Sequence, residues 1–194
     1  MTRMGFLSIA LTAFVAIGCN RNSTATNGSV GTTGDNDRTE VKAADKTFVK
    51  DLVIGNIAEV ELGRLAVERG ASTEVKKFGQ MMIDDHTKAG DKLKSVASAQ
   101  NIPVPTDLDD KHRDLRDKLA KLSGSAFDRE YMAAMVEGHE GVADKLESRL
   151  DSAKLAQKSD NVVTMAVNEW AAEAYPVVQS HLQAARVIDK ALKR

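Results

Sequence analysis

Four polar side chains stand where a helix in this sequence would otherwise be apolar. At about 100° per residue, Glu59 falls between Phe48, Leu52, Leu62 and Ala66, whereas Glu61 falls on the opposite side. His86 lines up with Val75, Gly79, Met82, Ala89 and Leu93, and His139 with Met132, Met135, Val142, Ala143 and Leu146. His181 lines up with Trp170, Ala174, Val177, Val178, Ala185 and Ile188. A carboxylate or imidazole on a buried face is unfavourable unless it finds a partner. Brought together, the four would form either a hydrogen-bonded cluster or a site for one divalent transition metal such as Zn, Cu or Fe. Imidazole suits these ions, and one carboxylate would complete a four-ligand set. Met82 and Met135, each one turn before a histidine, are candidate soft ligands that would favour copper. The competing reading is a structural Glu–His network that fixes helix register, with the methionines as filler.

The elements that must position these groups are long helices, because from Asp45 onward the apolar spacing is helical almost everywhere. The first is expected over Lys46 to Arg69, closing at Gly70, with Ser72 placed to cap the next. The second spans Thr73 to Gln100 and ends before the Ile102-Pro103-Val104-Pro105 stretch, since proline disfavours helix at the preceding residue. A charged connecting helix follows over Asp107 to Leu122, expected to lie across one end, and Gly124 breaks it. The third long helix runs over Ser125 to Ala156 and the fourth over Asp160 to Leu192, with a kink expected at Pro176. Short links make two antiparallel hairpins joined by a longer crossover. The fold class is therefore all-α: a ferritin-like four-helix bundle with a short crossover helix between its second and third long helices.

Two features tie the polar residues to that frame. Glu59 and His139 lie about 14 residues after their helix starts, and His86 and His181 a similar distance before their helix ends. All four should then share a height to within one turn, roughly 5 Å. An internal repeat agrees: Met82-Ile83-Asp84-Asp85-His86 precedes Asp91-Lys92-Leu93, and Met135-Val136-Glu137-Gly138-His139 precedes Asp144-Lys145-Leu146 at the same offset.

The N-terminus reads as a targeting segment. Arg3 precedes an uncharged apolar run from Met4 to Ile17, too short for a bilayer core that needs roughly 20 residues. Ala16-Ile17-Gly18-Cys19 resembles a lipoprotein cleavage site, although Ala16 stands where Leu is usual. Cys19 is the only cysteine, which removes internal disulfides from consideration, and lipidated it would anchor the chain to a membrane. Asn20 to Glu40 is rich in Ser, Thr, Asn and Gly with Val30 its sole aliphatic residue, the composition of a flexible tether. The expected organisation is a signal peptide over 1–18, lipidated Cys19 with tether over 19–44, and one helical domain over 45–194. In a Gram-negative host, Asn20 rather than Asp after the cysteine favours the outer membrane, with the domain in the periplasm. With 27 Lys+Arg against 28 Asp+Glu and no block of like charge, the chain carries no nucleic-acid footprint. Nothing in it identifies a protein partner.

Phe48-Val49-Lys50 with Ala58-Glu59-Val60-Glu61-Leu62-Gly63 resembles the bacterial family catalogued as domain of unknown function 4142. So do Met82 to Ala89, Met135 to His139, and the Pro176 to Leu182 segment. The resemblance covers about Asp45 to Lys190. It implies a ferritin-like fold and an exported protein, and no established activity. The sequence departs from ferritin-like di-iron enzymes, whose sites need Glu-x-x-His on two helices. Ile83, Val136 and Val178 occupy the positions three before the core histidines, so di-iron chemistry is not expected. No catalytic nucleophile constellation occurs, and His112 in the charged connector reads as a solvated residue. The leading reading is a membrane-tethered helical module of the cell envelope with a candidate metal site. The alternatives are a metal-dependent redox or detoxifying enzyme on that site, and an interaction scaffold without metal.

Overall fold

In the computed structural model, which describes residues 36–155 and 159–194, every regular element among those residues is helical. The signal peptide, Cys19, the tether as far as residue 35 and Ala156 lie outside the described residues. The helices are α1 (Asn36–Thr39), α2 (Ala43–Arg69), α3 (Thr73–Ala99), α4 (Asp110–Leu119), α5 (Gly124–Leu155) and α6 (Val162–Leu192). Ends follow local chemistry. The Ser72 hydroxyl accepts from the Glu74 and Val75 amides, Asp109 from the His112 amide, and Asn161 from the Thr164 amide, each opening a helix as a side-chain cap. α6 continues through Pro176 although that residue offers no amide to the Ala172 carbonyl.

The long helices pair as two antiparallel hairpins. In the first, α2 and α3 approach closely enough that their backbones touch. A Cβ on Gly63 would fall 2.6 Å from the Gly79 carbonyl oxygen, and one on Gly79 would fall 2.7 Å from the Ala66 Cβ. In the second, Arg149 bonds Asn168 and Arg186 bonds Glu140, the descending register of an antiparallel pair. Asp128, buried at the start of α5, accepts from the amides of Ala71 and Ser72 and so ties the α2–α3 link to the second hairpin.

Register between the hairpins fixes the connector. Asp45 meets Arg149 and Asp51 meets Lys145, so α5 runs opposite to α2 and hence in the same direction as α3. The chain leaving α3 must therefore return along the length of the molecule. α4 does so against the α2–α5 side, held by Arg116 to Glu61 and by Lys118 to Glu130, with Leu119 buried. The expectation that the connector lies across one end is thus corrected, because parallel α3 and α5 cannot be joined by an end-cap. Only the last residues of the stretch expected to be tether are among those described. Residues 36–39 are helical, and the Asn161 side-chain amide donates to the carbonyls of Asp37 and Glu40, while Val41 packs on the core. A composition-based reading misses this because the docking groups are backbone carbonyls.

The core is divided. One apolar cluster gathers Phe48, Leu52, Val53, Leu93, Leu146 and Trp170. The other gathers Leu62, Phe78, Met82, Phe127, Met132 and Met135. On every long helix the residues between the two clusters include a polar one.

A three-histidine cluster between two apolar layers

That polar layer holds Asn56 and Glu59 on α2, His86 on α3, His139 on α5 and His181 on α6. The three imidazoles form a near-equilateral triangle, with ring centroids 5.4, 5.6 and 5.7 Å apart. One ligand nitrogen from each lies within 4.8 Å of the others. A tetrahedral zinc site, with Zn–N of about 2.0–2.1 Å, sets its nitrogens about 3.3 Å apart, so a modest contraction closes the set. His139 and His181 are buried, at 2 % and 3 % exposure.

Hydrogen bonds settle which nitrogen of each ring carries the proton. The Asn56 side-chain amide donates to the Leu52 carbonyl (2.7 Å), which turns Asn56 Oδ1 toward His86. His86 Nδ1 lies 3.1 Å from that oxygen and must be the donor, leaving Nε2 with a lone pair. His139 Nδ1 donates to the Met135 carbonyl (2.9 Å), again leaving Nε2. His181 Nε2 donates to Asp85 Oδ2 (3.0 Å), leaving Nδ1. The three nitrogens left over are all buried with no hydrogen-bond partner. Each ring is oriented by an acceptor on one side and offers a bare donor atom on the other, the arrangement by which outer-sphere partners orient metal-binding histidines.

Burial pushes His86 down to about 3, with repulsion from His139 and His181 adding to the effect. Burial also lowers His181, against the opposing pull of Asp85. Both rings are therefore neutral at physiological pH, as metal ligands must be.

The expected fourth member stands apart. Glu59 Oε1 is 4.0 Å from His139 Nδ1, the nitrogen facing Met135 rather than the bare one, and Glu59 is not among the converging ligand atoms. Its Oε2 and the Tyr131 hydroxyl are both buried without a partner. Burial raises the Glu59 carboxyl above its usual range, partly offset by His139 and His112. Burial, reinforced by Glu59, raises Tyr131 well above its ordinary value. Met82 and Met135 pack in the Phe78–Phe127 cluster. His112, expected to be solvated, has only 28 % of its side chain exposed, bonds Asp109 at 2.6 Å and lines the same cavity as the three histidines.

Two groups escaped sequence reasoning. Asn56 was legible, since it falls four residues after Leu52 and three before Glu59 on the buried face. Asp85 carried no such signal: it sits beside His86 in sequence, and only the α3–α6 contact turns it toward His181.

The neutral histidines make the metal-free protein sensitive to acid. Between the ordinary value of 6.5 and about 3, the unfolded chain binds a proton at His86 that the folded chain refuses. Stability must then fall as pH falls through that window, by about 1.4 kcal/mol per pH unit for one such group. His181 acts in the same direction. Glu59 acts oppositely, because its raised value penalises the fold above 4.5 and that penalty is relieved by acid. The expected net result is a loss of about 2 kcal/mol from pH 6.5 to pH 5, read from urea midpoints of the metal-free protein. A midpoint that holds steady or rises over this range would contradict neutral buried histidines.

A helical core carrying three converging, oriented imidazoles is the class of protein that fold and site define. The chain belongs to the family described as Domain of unknown function (DUF4142), which matches over residues 30–188. No curated protein and no solved structure matches the sequence.

Proposed function

We propose that this chain is an exported, lipid-anchored module of the bacterial cell envelope that binds one divalent transition metal through His86, His139 and His181. The carrying observation is the set of three buried imidazole nitrogens with no partner, each on a ring whose other nitrogen is held by Asn56, Met135 or Asp85. A purely structural network would spend those lone pairs on donors, because leaving them bare in the interior costs about 1–3 kcal/mol each. Zn, Cu and Fe all suit a set of neutral imidazoles. Glu59 is read as a group beside His139 that acts through that ring, rather than as a fourth ligand.

Ferritin-like connectivity is proposed on the register described above: two antiparallel hairpins, with α3 and α5 parallel and joined by a returning connector. Export and anchoring rest on the apolar run that ends at Cys19, and the membrane is the partner that reading supplies. No helix among the described residues is long and apolar enough to cross a membrane.

One preparation tests both parts. The untagged full-length chain is extracted in detergent from cells fed labelled palmitate, then analysed for metals and titrated with Zn, Cu and Fe by calorimetry. The expected outcome is fatty-acid label together with one metal per chain. Label without stoichiometric metal would sink the metal reading, and metal without label would sink the anchor.

A further inference from the structure

Three imidazoles fill three positions around a divalent ion that takes at least four ligands. Among the described residues no other His, Cys, Asp or Glu joins the converging atoms. Asp85 is committed to His181, and Glu59 approaches only the far side of His139. What faces the three histidines is a cavity of ≈ 1030 Å³, lined from all four long helices and from α4.

The wall of this cavity is thin on one side. Gly55, Gly138 and Gly141 line it from α2 and α5. A Cβ added at Gly55 or Gly141 would meet nothing within 4 Å, and one at Gly138 would meet only Glu59 Oε1, at 3.8 Å. These glycines differ from Gly63 and Gly79, where a Cβ would strike the neighbouring helix. Close packing explains the second kind and not the first. Side chains at Gly55 and Gly141 would have room, so the α2–α5 seam, on whose side α4 also packs, is left unfilled at these two positions. The Nε2 of His139 and the Nδ1 of His181, on two of the residues lining the cavity, are buried and without a partner. The rim carries the exposed pair of Asp51 and Lys145.

We propose that the metal held by His86, His139 and His181 keeps one exchangeable position, reached along the α2–α5 seam at Gly55 and Gly141, and that this position takes a small monodentate anion from solution. The inference rests on the three-histidine reading above. The three ligands are neutral, so none cancels the charge of the ion, and the remaining position favours an anionic donor. An open coordination position distinguishes a reactive or ligand-binding centre from a closed structural one.

The test uses the full-length chain loaded with Co(II), whose visible bands report coordination, with azide as the probe. Azide should change the spectrum saturably with one azide per cobalt. A chain carrying Gly55→Leu and Gly141→Leu together should still bind one cobalt but take up azide at least tenfold more slowly. A cobalt spectrum that azide leaves unmoved would overturn the open position, with a protein group such as the Met135 thioether filling it, and the three-histidine site would stand. Unchanged azide kinetics in the double variant would overturn the α2–α5 route. Failure to bind cobalt at all would overturn the metal site and this inference with it.

Discussion

Replacing His139 by leucine is expected to abolish stoichiometric metal binding without weakening the metal-free protein. Structural zinc sites are worth about 10–16 kcal/mol over their full ligand set, so one imidazole contributes roughly 3–4 kcal/mol, at least about 100-fold in affinity. Stability should move the other way. His139 is 2 % exposed and its Nε2 is buried without a partner. Its other nitrogen donates to the Met135 carbonyl, which keeps its helical bond when the side chain changes. Leucine removes the bare nitrogen and gives up only the 4.0 Å approach of Glu59 Oε1 to Nδ1, so the metal-free variant should be as stable as the parent, or more stable by up to about 1–3 kcal/mol. Calorimetric metal titration and urea unfolding of the same preparation check both halves. A variant that keeps its metal, or one that loses several kcal/mol in the absence of metal, would show that His139 is a structural group. Asn56→Ala, which frees the His86 ring, should lower metal affinity by about 10–100-fold while leaving the three ligands in place.

A comparably large effect on folding is expected at Arg149. Its Nη2 lies 2.6 Å from Asp45 Oδ1 and its Nε 2.7 Å from Asn168 Oδ1, with the guanidinium 4.3 Å over the Phe48 ring. Asp45 is 2 % exposed and also accepts from the Thr164 hydroxyl at 2.7 Å. Arg149→Met would strand a buried carboxylate at a point where α2, α5 and α6 meet. The expected loss is about 3–5 kcal/mol, against less than about 1 kcal/mol for Lys145→Met, which breaks the exposed pair with Asp51. At roughly 2–4 °C per kcal/mol, the Arg149 variant should melt about 6–20 °C lower. Adding Asp45→Leu should recover part of that loss, since no charge is then left buried. Equal melting temperatures for the Arg149 and Lys145 variants would show that burial gives the first pair no special weight.

The long helices were legible because the signals that make them are local. The 3.6-residue apolar period placed α2, α3, α5 and α6 within a few residues of their ends, and Ser72 caps the helix it was expected to cap. The family resemblance rested on segments of the same helices and is borne out. Outside the described residues, Cys19 and the signal segment remain proposals from the sequence.

At the polar layer the sequence by itself determined four things. It determined that His86, His139 and His181 occupy apolar faces, that Glu59 does likewise, that their heights agree, and that Glu-x-x-His is absent. Each follows from residue type and helical phase. Only the tertiary structure decided which of these groups meet. Phase fixes the side of a helix to within tens of degrees, whereas a ligand set is fixed by which nitrogen of each ring is already bonded. That depends on partners from elsewhere: Asn56 on α2 for His86, and Asp85 on α3 for His181, 96 residues away. Glu59 satisfied every sequence criterion, yet it stands on the Nδ1 side of His139 and outside the triangle. The connector shows the same division. Its charge and length were plain in the sequence, but its course along α2 and α5 follows from α3 and α5 being parallel. Helix direction is set by how the two hairpins pack, and no local pattern records it.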